Sequence, residues 1–90
     1  MIRALFVGGV VDNSELDMDE GRPPVHYPPD DGGGRPRYRL QQVGRREDGG
    51  IAYAVYAAPE MDEAEVARIA DERDYARRFQ ARPEAPDATA

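Results

Sequence analysis

The chain has no cysteine, no tryptophan and no lysine among its 90 residues. Without cysteine there is neither a disulfide framework nor a thiolate metal site. The only histidine is His26 and the only serine is Ser14. A nucleophile and its base therefore have almost nothing to be built from. Leu, Ile, Val and Phe together number 15, which is about 17% and below the roughly 20% at which disorder becomes a competitor. No apolar run approaches the ~20 residues of a membrane-crossing helix. The short apolar stretch after Arg3 lacks a cleavage pattern, so a cytoplasmic location is the expectation. The length excludes a multidomain enzyme.

What is present is charge. Eighteen acidic residues against twelve arginines leave a formal charge of −6, which argues against general nucleic-acid affinity while leaving room for a local basic patch. Five tyrosines and many alanines add burial to the thin aliphatic inventory. A domain of this size buries only about 60–65% of its unfolded surface, so dimerisation is a second route to a sufficient core.

Periodicity divides the chain into five elements. Residues 2–11 read as a strand apolar on both faces, with Ala4, Phe6 and Val10 alternating with Leu5, Val7 and Val11. Gly8-Gly9 marks a bulge or a close approach by another element. Asp12-Asn13-Ser14 is a turn. Residues 15–19 alternate charged and apolar side chains, as a half-exposed return strand does. Residues 19–35, with Pro23-Pro24, Pro28-Pro29 and Gly32-Gly33-Gly34, form a flexible loop. Within it, Val25-His26-Tyr27 can lie along a sheet edge.

Residues 36–46 read as a strand. Tyr38 and Leu40 share one face, and Arg35, Arg37 and Arg39 the other. Val43 breaks the alternation, which predicts a bulge near Gln41-Gln42. Glu47-Asp48-Gly49-Gly50 is a hairpin turn into a strand at 51–58. The thin side of that strand, Ala52, Ala54 and Tyr56, is expected to receive a helix. That helix spans 62–81, capped by Asp62 with Glu65 three residues on, and stapled by Met61 and Val66. Residues 83–90 read as a disordered tail.

Three constellations invite chemical readings. The acidic residues Asp12, Glu15, Asp17, Asp19 and Glu20 do not have the spacing of a calcium loop and read as a solvated face. Gly8-Gly9 is followed by no Lys-Ser/Thr and opens no helix, so no phosphate loop is present. Arg35, Arg37, Arg39, Arg45 and Arg46 could line a strand and hold phosphates. On the opposite reading, Arg37 and Arg39 with His26 and Tyr27 form a contact surface for a protein partner, where arginine and tyrosine are favoured.

The run Phe6 to Asn13 resembles the opening of a group of short phage and prophage proteins that begin with a strand reading V-G-G-P-x-D-G. Val7, Gly8, Gly9 and Asp12 match. Val10 stands where proline is usual and Asn13 where glycine is usual. The resemblance implies a strand, a return strand, a Pro-rich loop and a Tyr/Arg-rich hairpin, and an origin in a mobile element. It implies no activity.

The expectation is a single α+β domain over residues 1–82. Three to four strands form a small antiparallel sheet, and one C-terminal helix packs on one face. The expected function is a non-catalytic protein-interaction module, an accessory or inhibitory protein of phage or prophage type without cofactor or metal. Its contacts would be His26, Tyr27, Arg37 and Arg39. The alternative is a nucleic-acid or phosphate binder through Arg35, Arg37, Arg39, Arg45 and Arg46. No membrane contact is expected.

Overall fold

The computed structural model describes residues 1–19, 21–27 and 37–86. The elements are β1 (Ile2–Val7), β2 (Glu15–Met18), β3 (His26–Tyr27), β4 (Tyr38–Arg45), β5 (Ile51–Ala57), α1 (Glu63–Glu72), α2 (Tyr75–Phe79) and β6 (Arg82–Glu84). The fold is α+β. The sheet runs β2-β1-β5-β4-β3, and β6 joins the outer edge of β4.

The sheet is mixed, not antiparallel. β1 returns into β2 as an antiparallel hairpin, as expected, but β1 pairs with β5 in parallel. The reason lies in the side chains. β1 and β5 are the two strands apolar on both faces, and the pair buries most when both are central. Parallel neighbours require a crossover, and the chain between β1 and β5 supplies it. β1 ends at Val7 rather than residue 11, because Gly8 and Gly9 take positive φ. Val10 and Val11 are consequently exposed.

Two bulges set the faces of the sheet. One lies between Leu40 and Gln42, where the broken alternation predicts it. It places Leu40 and Val43 on one face, with Ile2, Ala4, Phe6, Met18, Ala54 and Tyr56. The other skips Ala52, so Ala52 and Tyr53 point the same way. The helices pack on the face carrying Leu5, Val7, Tyr53, Val55 and Ala57. The alanine side, Ala54 and Tyr56, faces away from them, contrary to expectation. The bulky face wins because Tyr53 and Val55 have more apolar area to bury than the alanines. On the other face the Tyr56 hydroxyl donates to the Pro24 carbonyl at 2.7 Å, and Pro23 is buried. Part of the expected loop, residues 21–27, is thus cover for the sheet. Glu20 and residues 28–36 lie outside the described residues.

The single helix expected over 62–81 is two. α1 starts as predicted, with the Asp62 carboxylate accepting from the Glu65 amide at 2.8 Å. It is attached through Val66 and Ala70. Continued straight, that stripe would next turn Arg73 and Arg77 toward the sheet. Asp74 instead adopts a left-handed conformation, φ 61°, and resets the phase. Tyr75 and Phe79, four apart, now both meet the Tyr53 ring, with centroids at 6.0 and 5.4 Å. Gln80, also left-handed, turns the chain into β6. Residues 82–84 are therefore an edge strand and not the start of a tail. Pro83 fits there because an edge strand leaves one side of its backbone unpaired. Residues 87–90 lie outside the described residues.

Gly44 sits beneath the Tyr53 ring, and any Cβ there would lie inside the ring's van der Waals envelope. Tyr53 is fully buried between β4 and α2 and has no room to retreat. Gly44→Ala is expected to destabilise the fold by about 1–3 kcal/mol, as overpacking does. Urea denaturation measures this, and an unchanged midpoint would refute the packing account.

Candidate interaction site

The loop after β1 is held by three distant elements. Gly8, Gly9 and Asn13 all have positive φ, at 81°, 70° and 67°. The Asp12 carboxylate accepts from the Gly8 amide at 2.7 Å and takes two bonds from one Arg73 nitrogen, at 3.0 and 3.1 Å. The Tyr38 hydroxyl donates to the Gly8 carbonyl at 2.6 Å and accepts from the Val11 amide at 3.2 Å. Met61 packs against Gly8, and the Tyr38 hydroxyl against Gly9, so closely that a side chain at either glycine would collide. The expected close approach at Gly8-Gly9 is thus found.

The amides of Gly8, Val11, Asp12, Asn13 and Ser14 are all donated within the protein. The loop therefore does not present them as an anion cradle. It presents Val10 instead, 98% exposed, on a rigid rim.

Glu15 and Asp17 are used in the same way. Arg3 bonds Glu15 at 2.9 Å and Asp17 at 2.6 Å, and Arg78 reaches Glu15 at 3.0 Å. Of the acidic face expected to be solvated, Asp12, Glu15 and Asp17 are paired with Arg73, Arg3 and Arg78 while staying partly exposed.

The short β3–β4 ladder brings together residues that the sequence singled out. His26 pairs with Arg39, and Tyr27 with Tyr38. His26 and Arg39 thus share one face. Tyr27 and Tyr38 share the other, where both meet the Phe6 ring edge-on at 5.6 and 5.3 Å. Arg37 is half-buried just before β4 and is engaged in contacts. Arg39 is exposed and makes no ion pair among the described residues. Arg35 lies outside the described residues.

The arginines of β4 do not form one row. Arg39 pairs with Ala57, on the helix side, whereas Arg45 pairs with Ile51, on the opposite side. The bulge at Gln41 separates them.

β3 and β6 both pair with the outer edge of β4, one at residues 38–39 and the other at 43–45, leaving a notch between. A groove of about 810 Å³ opens there. Pro23, Val25, Leu40 and Ile51 supply apolar walls, and three arginines, Arg22, Arg39 and Arg45, line it with one carboxylate among the described residues, Glu63. Val25 is well exposed, and its carbonyl takes the Leu40 amide at 2.8 Å. No family model matches the chain, and no curated protein or solved structure is significantly similar to it.

Sequence reasoning missed Arg22 and Val25 as site residues. Their signal was faint: one apolar side chain between two proline pairs, with a cation just before. It also missed the Asp12–Arg73 clamp, whose partners are 61 residues apart.

The Gly8 amide, and then Arg73, hold the Asp12 carboxyl below its ordinary pKa despite some burial. At Glu15 burial pushes upward, but the bonds and charges of Arg3 and Arg78 together outweigh it and leave the group low. Folded values below the unfolded ones mean full stabilisation above about pH 4.5, lost as pH falls through the folded values. The melting temperature should therefore drop in acid. Asp12→Asn should flatten part of that drop and cost about 1 kcal/mol or less at neutral pH, since the pair is half-exposed. Identical acid profiles for wild type and variant would show that the clamp contributes nothing.

Proposed function

We propose that this protein is a non-catalytic interaction module that binds an extended segment of another protein in the groove beside β3 and β4. The fitting segment carries a carboxylate next to apolar side chains. The observation that carries this reading is the pairing of apolar walls with the guanidinium groups of Arg22 and Arg39, beside an Arg45 already bonded to Glu84, on a chain of net charge −6. Apolar contact supplies affinity, and charge complementarity orients the partner and suppresses basic competitors. Of the expected contact residues Arg39 lines the groove, and His26 lies across from it in the β3–β4 ladder that Tyr27 extends. A role as an accessory or inhibitory protein of a phage or prophage accords with the resemblance of residues 6–13.

A nucleic-acid surface running along Arg35, Arg37, Arg39, Arg45 and Arg46 is less well supported, because Arg39 and Arg45 face opposite ways.

Affinity capture from a bacterial lysate, with and without nuclease, tests the proposal when wild type is compared with Arg39→Glu and Val25→Asp. A nuclease-resistant partner should be retained by wild type. Each variant should bind at least about tenfold more weakly, the scale of one lost interface contact of about 1.4 kcal/mol. Undiminished capture by both variants would remove the groove from the interface, and capture abolished by nuclease would replace the protein partner with nucleic acid.

A further inference from the structure

A second cleft, on the other side of β6, shares Arg45 with the groove and adds three arginines, Arg46, Arg77 and Arg82, that the proposed function does not use. It opens between the β4–β5 turn, the end of α2 and β6, with a volume of about 840 Å³. Arg45, Arg46, Arg77 and Arg82 line it, against the two carboxylates of Glu47 and Glu84. We propose that this cleft binds a compact, multiply charged phosphate-bearing small molecule.

The fold assembles these arginines from three separate places. The hairpin brings Arg45 and Arg46 to the end of β4. The left-handed turn at Gln80 folds β6 back, so that Arg82 lies directly across from Arg45 in the ladder. The same turn leaves Arg77, on α2, at the cleft wall. Like charges directly opposite on antiparallel strands destabilise the pair. Glu84 relieves half of this conflict by bonding Arg45 at 3.0 Å, and Arg45 is further fixed by the Gly49 carbonyl at 2.8 Å. Arg82 is exposed and makes no ion pair among the described residues. Arg77 has only a long contact to Asp74, 3.6 Å, with its side chain 84% exposed. Two guanidinium forks are thus available beside two that are already oriented. Guanidinium groups in this arrangement suit the planar, bidentate recognition of phosphate oxygens.

Charge decides between a small ligand and a polymer. The lining carries an excess of two positive charges, whereas the chain as a whole carries −6. At physiological ionic strength the Debye length is about 8 Å. A compact anion inside the cleft feels mainly the arginines. A nucleic acid extending beyond it meets the acidic remainder. Among the described residues no aromatic ring lines the cleft to stack a base, so the phosphates are the recognised part.

Titration with inorganic pyrophosphate, followed by calorimetry and amide chemical shifts, tests this. Expected are saturable binding at one site, shifts confined to residues 45–50 and 76–84, and at least about tenfold weaker binding in the Arg77→Gln, Arg82→Gln double variant. Both substitutions fall on exposed side chains, and circular dichroism verifies the fold. Arg39→Glu should bind pyrophosphate as wild type does, which separates failure here from failure of the groove on the other side of β6. Absent binding, or binding unchanged in the double variant, would overturn the proposal. Duplex DNA binding more tightly than pyrophosphate and weakening steeply with salt would overturn it in favour of a nucleic-acid surface.

Discussion

The packing of the loop after β1 against the start and end of α1 depends on the parallel pairing of β1 with β5. Both strands are apolar on both faces, and only central positions bury both faces at once. Their parallel alignment sets their carboxyl ends side by side, where the Ala58 amide donates to the Val7 carbonyl at 3.0 Å. The chain leaves β1 through a tight loop and leaves β5 toward α1 at the same place. Met61, just before α1, therefore packs on Gly8, and Arg73, just after it, reaches Asp12. A hairpin between these strands would have put the two exits at opposite ends.

Arginine does most of the work that a larger core would do elsewhere. With few aliphatic residues, the chain fastens its edges with guanidinium bonds: Arg3 and Arg78 at β2, Arg73 at the first loop, and Arg45 at β6. These are partly exposed pairs, each contributing at most about 1 kcal/mol, so their role is to orient elements more than to hold them. The core itself closes within one chain, through the aromatic contacts of Phe6, Tyr27, Tyr38 and Tyr56 on one side of the sheet and Tyr53, Tyr75 and Phe79 on the other. What distinguishes the two candidate surfaces is that Arg22 and Arg39 at one, and Arg82 at the other, make no ion pair among the described residues, while Arg77 has only a long contact to Asp74.

Much of the local structure was legible in the residues. The capping of α1 by Asp62, the turn at Asp12-Asn13, the hairpin at Gly49, the bulge near Gln41 and the edge position of His26-Tyr27 each follow from a few neighbouring side chains, because their causes are a hydrogen bond or a steric limit within a turn. The antiparallel β1–β2 hairpin is of the same kind. Of the residues marked as contacts, the ladder sets His26 beside Arg39 and turns Tyr27 to the other face, onto Phe6.

The parallel β1–β5 pair, the break at Asp74, the strand at residues 82–84 and the helix face of β5 were not legible. Each is decided by a competition between distant groups. Whether Tyr75 and Phe79 or Arg73 and Arg77 face the sheet depends on the Tyr53 ring, and that ring's position depends on Gly44 across the ladder. The groove and the cleft are of this second kind, since each is walled by segments that meet only after β3 and β6 have joined the edge of β4. Sequence alone determined the turns, the start of α1 and the rough positions of the longer strands, through interactions a few residues long. Tertiary structure decided which elements are neighbours and which arginines stay free, because burial and charge pairing are settled between surfaces that local order does not bring together.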